Sequence, residues 1–284
     1  MYQETIKRPT LPARGFSRET LETLSAQRDE PRWMLEHRYQ GWHHYEELQP
    51  PLWRRTDITD LDWGQLIPFA PDQAGVRDLS VLPPKLHDAL ATYGRRAGLL
   101  VQRDSAPVYR DLADELRAQG VIWTDMSTAL REHSELVQAH FMTEAVPAST
   151  DKFTALHAAF WSGGTFLYVP DGLSVELPFV SVLWQEMPEL AVFPHTMLVV
   201  GAGSDVTLVS ELLSMGCEAC PDTYHGGVTE LYVGAGSRVR YVNAQDFGRH
   251  VYDLRSQTAL LDRDSHLDWL SVTLPFKHGL DIVR

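Results

Sequence analysis

Between Leu167 and Leu267 the chain returns four times to one arrangement of apolar and polar positions. The copies read LYVPDGLSV at 167–175, LVVGAGSDV at 198–206, LYVGAGSRV at 231–239 and ALLDRDSHL at 259–267. Each is an apolar run, a corner of small or acidic residues, then a polar and an apolar residue. Val169, Val200, Val233 and Leu261 are equivalent and lie 31, 33 and 28 residues apart. After each corner the alternation has a period of two, which predicts strands. Val175/Leu177, Val206/Leu208, Val239/Tyr241 and Leu267/Trp269 face one way, and Ser174/Glu176, Asp205/Thr207, Arg238/Arg240 and His266/Asp268 the other. Gly172, Gly203 and Gly236 share a corner position that calls for a positive φ, and Asp264 takes it in the fourth copy. Short strands with small corners at a nearly fixed period predict a β-helix-like solenoid, each turn burying its apolar face on the next. A twisted sandwich of hairpins is the competing arrangement.

Ahead of the repeats the pattern turns helical. Ser17 starts a helix with Leu21 and Leu24 on one face. Asp29 caps a second, which carries Glu30 and Pro31 in its first turn and continues through Trp33, Met34, His37 and Arg38 until Pro50-Pro51 stops it. Residues 52–82 read as irregular. Leu99–Val101 and Val121–Trp123 read as strands, and Leu112–Gln119 as a short helix closed by Gly120. Thr124 or Asp125 starts a helix that runs to Val137. Thr150 or Asp151 caps another over 153–161, ended by Gly163-Gly164. The expected protein is mainly β with a helical N-terminal region and a β-helix (β-solenoid) core in its C-terminal half. Residues 1–82 form an arm and helices, 83–162 a mixed α/β region leading into the core, and 163–284 the solenoid.

Composition narrows the function more by exclusion than by assignment. A net charge of −13 over 284 residues lacks the positive footprint that nucleic acid or an anionic membrane requires. No stretch approaches 18 apolar residues and the first ten lack a signal-peptide layout, so the expected location is the cytoplasm. Two cysteines give no disulfide framework. There is no glycine-rich loop ending in Lys-Ser or Lys-Thr to cradle a nucleotide triphosphate. A polysaccharide hydrolase or lyase on a β-helix needs clustered carboxylates, and the outward positions here mix signs without such a pair. Glu132-His133 has no nucleophile beside it, His43-His44 point about 100° apart on a helix, and His157 reads as a packing residue.

One constellation carries ligand chemistry. Cys217 and Cys220 stand in a Cys-x-x-Cys spacing followed by Asp222 and His225, between the second and third repeats. Two thiolates so spaced can face one metal and His225 can supply a third ligand, although structural sites ordinarily use four donors. The segment reads either as a loop with two thiols or as a transient iron or cluster ligand set.

Longer motifs carry a family resemblance. Gly120-Val-Ile-Trp-Thr-Asp, Arg131–Val137, Lys152-Phe153, Leu156-His157-Ala158-Ala159, and Trp161-Ser-Gly-Gly-Thr-Phe-Leu-Tyr-Val-Pro-Asp-Gly resemble the SufB/SufD family of iron–sulfur cluster assembly proteins. Glu30–Arg38 resembles the family's opening signature, and the likeness runs from about residue 17 to about 273. It implies a non-enzymatic scaffold with a β-helix core, in a cytosolic complex with the ABC-type ATPase SufC. SufB and SufD pair through their solenoids, and the complex builds iron–sulfur clusters and passes them on. A SufB-like chain carries a cysteine in the strand after the second repeat; here Leu212 holds that position, so the resemblance is closest to SufD. No cofactor is assigned to this subunit itself, the cluster belonging to the complex. Family members continue through more solenoid turns, so the chain is expected to be truncated at its C-terminal end. The alternative expectation is a degenerate or self-associating solenoid remnant, which associates through its last coil.

Overall fold

The computed structural model describes residues 13–51, 53, 56–70, 82–215, 220–274 and 278–284. Helix α1 (Arg18–Gln27) starts where Ser17 predicts, with the Ser17 side chain accepting from the Thr20 amide. Helix α2 (Arg32–Glu47) follows. Its cap is Pro31, not Asp29: Asp29 has a φ of 50° and closes the α1–α2 turn, while Pro31 makes no side-chain cap bond. Helix α3 (Pro84–Ala91) and strands β1 (Gly98–Arg103) and β2 (Ala106–Leu112) come next. Then come α4 (Asp114–Ala118) and β3 (Ile122–Asp125). The single helix expected from Asp125 to Val137 is two, α5 (Met126–Glu132) and α6 (Ser134–His140), because His133 leaves the helical region at φ −133°, ψ 40°. Helix α7 (Lys152–Phe160) is capped by Asp151, which accepts from the amides of Phe153 and Thr154.

From Gly164 onward the chain winds as a β-solenoid of about four turns. The strands are β4 (Gly164–Val169), β5 (Phe179–Gln185), β6 (Ala191–Val192), β7 (His195–Val200), β8 (Asp205–Ser214) and β9 (Thr223–His225). They continue as β10 (Val228–Val233), β11 (Arg238–Asp246), β12 (Val251–Leu261), β13 (His266–Thr273) and β14 (His278–Val283). One sheet runs β13-β11-β8-β5-β1-β2 and the other β3-β4-β7-β10-β12-β9-β6, with β14 also on β12. Every solenoid pairing is parallel, which removes the hairpin sandwich. The repeat alignment is the sheet register: Val169 pairs with Val200, Val200 with Val233, and Val233 with Leu261. Corner stacks on corner, the Gly172, Gly203 and Gly236 amides donating to Ala202, Ala235 and Arg263 carbonyls. All three glycines have φ near +70°, and Asp264 adopts 58° at the fourth corner.

The two antiparallel strands lie at the outer ends, β2 on β1 and β3 on β4. The mixed α/β region therefore covers the first coil, with β2 and β3 as the outer strands of the two sheets. Helices cover one broad face: Phe166, Met197, Val199, Val228 and Tyr232 point outward from β4, β7 and β10 into a core shared with Met34, Leu156, Phe160 and Trp161. Their strand neighbours Leu167, Leu198, Leu231, Val200 and Val233 point inward, against Val206, Leu208, Val239 and Tyr241 of the other sheet.

Candidate functional site

The solenoid interior changes character along its strands. Inward positions of β8 read Val206, Leu208, Ser210, Leu212, and those of β11 read Val239, Tyr241, Asn243, Gln245. Near the glycine corners the interior is hydrocarbon; toward the opposite edge it is polar and holds a small cavity. Ser210, Leu212, His225, Tyr241, Asn243 and Arg255 line it. Leu212 packs there with Leu183, Phe247 and Val251. The position where a SufB-like chain is expected to carry its thiol thus faces the same cavity as His225.

The polar lining is a connected network. His225 Nδ1 donates to Asp253 Oδ1 at 2.8 Å, and Arg255 Nε lies 3.0 Å from Asp253 Oδ2. The other end of the guanidinium donates to Asn243 Oδ1 at 2.8 Å and sits 3.4 Å from Asp281 Oδ2. Gln257, buried on the same strand, donates to Asp281 at 2.6 Å. Burial works against the Arg255 charge, but Asp253 and Asp281 outweigh it and push its pKa above the ordinary arginine value. With Nδ1 committed as donor, His225 is left with a buried Nε2 that has no hydrogen-bonding partner. A histidine oriented through one nitrogen by a carboxylate presents the other as a basic acceptor.

A second buried chain lies on the helix-covered face. His157 Nδ1 is 2.7 Å from the Gly226 carbonyl, His157 Nε2 is 3.1 Å from His195 Nδ1, and His195 Nε2 is 3.0 Å from Glu230 Oε2. Glu230 also accepts from the amides of Met142 and Val146. Burial lowers the His195 pKa to about 3 and takes His157 well below the ordinary imidazole range. It raises that of Glu230 to about 7 against the opposing backbone bonds. His157 is therefore a packed residue, as expected, but one with both nitrogens engaged.

Of the predicted ligand set, Cys217 lies outside the described residues. Cys220 is half-buried just ahead of β9, and His225 ends β9 fully inside the solenoid. Among the described residues no three His, Cys, Asp or Glu side chains converge closely enough to hold a metal ion. The residues missed in the sequence are Ser210, Asn243, Gln245, Arg255 and Gln257. Their signal is phase: the alternation that places Val206 and Leu208 inside carries on into polar residues without shifting register. Among the described residues no helix is long and apolar enough to cross a membrane.

Comparison with known proteins agrees with this architecture. Residues 183–278 match the family model described as SUF system FeS cluster assembly, SufBD core domain, and residues 106–180 match the SufBD protein N-terminal region. The chain is 33% identical over 257 residues to the iron–sulfur cluster assembly protein SufD of Bacillus subtilis, covering 90% of this chain and 58% of that one. It is 27% identical over 268 residues to SufB of the same organism, covering 90% and 56%. A SufBD family protein of Staphylococcus saprophyticus is 28% identical over 275 residues, covering 93% and 58%. The chain spans somewhat more than half the length of these relatives.

Proposed function

The chain belongs to the SufB/SufD family of the SUF iron–sulfur cluster assembly system, and from that premise we propose that it acts as a SufD-like scaffold subunit. In this reading it is non-enzymatic and cytoplasmic, pairs with SufB through the solenoid and docks the SufC ATPase, while the iron–sulfur cluster is cargo of the complex. The observation that carries it is Leu212. The interior position facing His225 holds a hydrocarbon side chain, so the cavity has an imidazole nitrogen without a hydrogen-bonding partner and, among its described lining residues, no thiol. Identity to the SufD relative, 33% against 27% for SufB, supports the same choice.

Cys217, Cys220 and His225 keep a place in the proposal only as transient ligands. His225 Nε2 is available inside the solenoid, and Cys220 lies five residues before it. The test of the whole reading is co-expression with SufB and SufC of the same organism, followed by affinity capture on this chain. Both partners co-purify if the reading holds. Capture of neither from soluble, folded chain overturns it.

A second reading, self-association of the solenoid, is favoured by the last coil. Leu270, Val272 and Leu274 on or beside β13, together with Leu261 and Val283, are 43–55% exposed. Exposed hydrocarbon repeated at alternate positions along one strand and just past its end, as at Leu270, Val272 and Leu274, supports an association surface. Light scattering of the isolated chain over a concentration series separates the readings: a monomer throughout removes the second.

A further inference from the structure

The polar end of the solenoid interior holds a hydrogen-bonding mismatch. Gln102 on β1 and His225 on β9 are each 1% exposed and line the same cavity. Gln102 Oε1 accepts from the Gly164 amide at 2.9 Å, which fixes the orientation of its side-chain amide. Its Nε2, carrying two hydrogens, meets no acceptor in the protein. His225 Nδ1 is held by Asp253, and Nε2 on the far side of the ring has no protein partner either. Buried polar atoms of folded proteins are almost always hydrogen-bonded, so two orphans on one cavity call for a shared partner.

No rearrangement of these side chains alone removes the mismatch. Turning the Gln102 amide over sets its NH2 against the Gly164 N–H, donor against donor. Turning the His225 ring over gives up its bond to Asp253. Moving the hydrogen from Nδ1 to Nε2 leaves a bare nitrogen 2.8 Å from a carboxylate oxygen. Hydrogens on both nitrogens keep the Asp253 bond but turn Nε2 from an acceptor into a donor, still without a partner. The partner must therefore be able both to donate and to accept, whichever state the imidazole takes.

The cavity suits water. Its volume of about 20 Å³ exceeds the ~10–15 Å³ that one water needs and leaves no room for a larger molecule. Its walls supply further groups that both donate and accept. Thr165, Thr196 and Thr229 are register partners on successive coils of one sheet, and Ser181, Ser210 and Asn243 on successive coils of the other. Leu183 and Leu212 close the apolar side. A polar, buried space with several partners in reach is what an interior water requires.

We propose that this cavity is a binding site for one or two ordered waters, which bridge Gln102 Nε2 to His225 Nε2. The two sides of the solenoid are then joined across its interior by solvent that belongs to the fold. A metal ion approaching His225 has to displace that water first.

A crystal structure of the full chain, at a resolution that orders single waters, tests the proposal. The expected result is a density peak about 2.7–3.2 Å from both nitrogens. Three results overturn it: no density between well-ordered side chains, a direct bond from Gln102 Nε2 to a protein acceptor, or a peak at the metal–nitrogen distance of about 2.0–2.1 Å from His225 Nε2. ¹⁷O magnetic relaxation dispersion gives a second readout in solution. Leu212→Phe fills the cavity from its apolar side and should lower the number of long-lived waters by about one or two. An unchanged number in the folded variant also overturns the proposal. The crystallographic readout uses the unmodified chain, so it decides the matter even where the variant fails to fold.

Discussion

Arg38 and Glu30 form a salt bridge in which neither partner touches water: Nη2 to Oε1 is 2.5 Å, with side-chain exposures of 0% and 1%. The guanidinium also donates to the carbonyls of Ala159 and Trp161 at the C-terminal end of α7, and it stacks over the Trp161 ring at 5.0 Å. One side chain thus closes the negative end of α7 and fastens α2 to it. Gly41, one turn on, lets the helices touch: a Cβ there would come within 2.7 Å of Ala158.

Truncating one partner leaves the other charged and buried. Arg38→Ala should therefore destabilise the protein by about 3–5 kcal/mol. Glu30→Gln should cost less, because the guanidinium keeps its two carbonyl acceptors. Urea unfolding followed by tryptophan fluorescence measures both. An Arg38→Ala chain within about 1 kcal/mol of the unmodified one would mean that α2 is not fastened here.

Two glycines with positive φ make opposite predictions. Gly164 (φ +113°) starts β4 where a Cβ would lie 2.1 Å from the His195 carbonyl oxygen. Gly172 (φ +71°) stands at the first corner with nothing within 4 Å. Gly172→Ala should cost only the left-handed backbone strain, about 1–2 kcal/mol. Gly164→Ala must also push β4 off β7 and should abolish cooperative unfolding or soluble expression. Thermal melts of the two variants, run in parallel, check the contrast.

That contrast also shows what could be read along the chain. The corner glycines were legible because a repeat makes each copy a control for the others, and Val169, Val200, Val233 and Leu261 proved to be register partners. Of the covering strands, β3 was read at Val121–Trp123 and β2 was not, and the antiparallel pairing of both was hidden, since nothing local distinguishes an antiparallel end strand from a coil strand. Glu230 stayed hidden for a different reason. It shares the outward phase of Val228 and Tyr232, which signals a solvent-facing strand until the helices are known to cover it. His195 is its diagonal neighbour only through the pairing of His195 with Val228, 33 residues away.

Asp253 is the hinge of the interior network, serving both His225 and Arg255. Asp253→Asn removes a charge partner from Arg255 while Asp281 stays in place. The expected loss is about 1.5–3 kcal/mol, the range of a hydrogen bond to a charged group. The ¹⁵N signals of His225 give the second readout: they should report a fixed Nδ1–H tautomer in the unmodified chain and a mixture in the variant.

His37 supplies an acid-sensitive term of opposite sign to Glu230. Burial first, and the Arg38 charge second, lower its pKa from 6.5 to about 4. Between those values the unfolded chain binds a proton that the folded chain refuses, so stability is complete above pH 6.5 and declines as pH falls toward 4. The full swing corresponds to about 3 kcal/mol at about 1.36 kcal/mol per pH unit. His37→Gln keeps a polar side chain of similar reach and cannot titrate. The unfolding free energy at pH 7.5 minus that at pH 5 should therefore be about 2 kcal/mol lower in this variant than in the unmodified chain. Because Glu230 is present in both proteins, its contribution cancels in the difference. Equal pH dependence in the two chains would show that His37 is protonated in the folded state and that acid acts on this protein elsewhere.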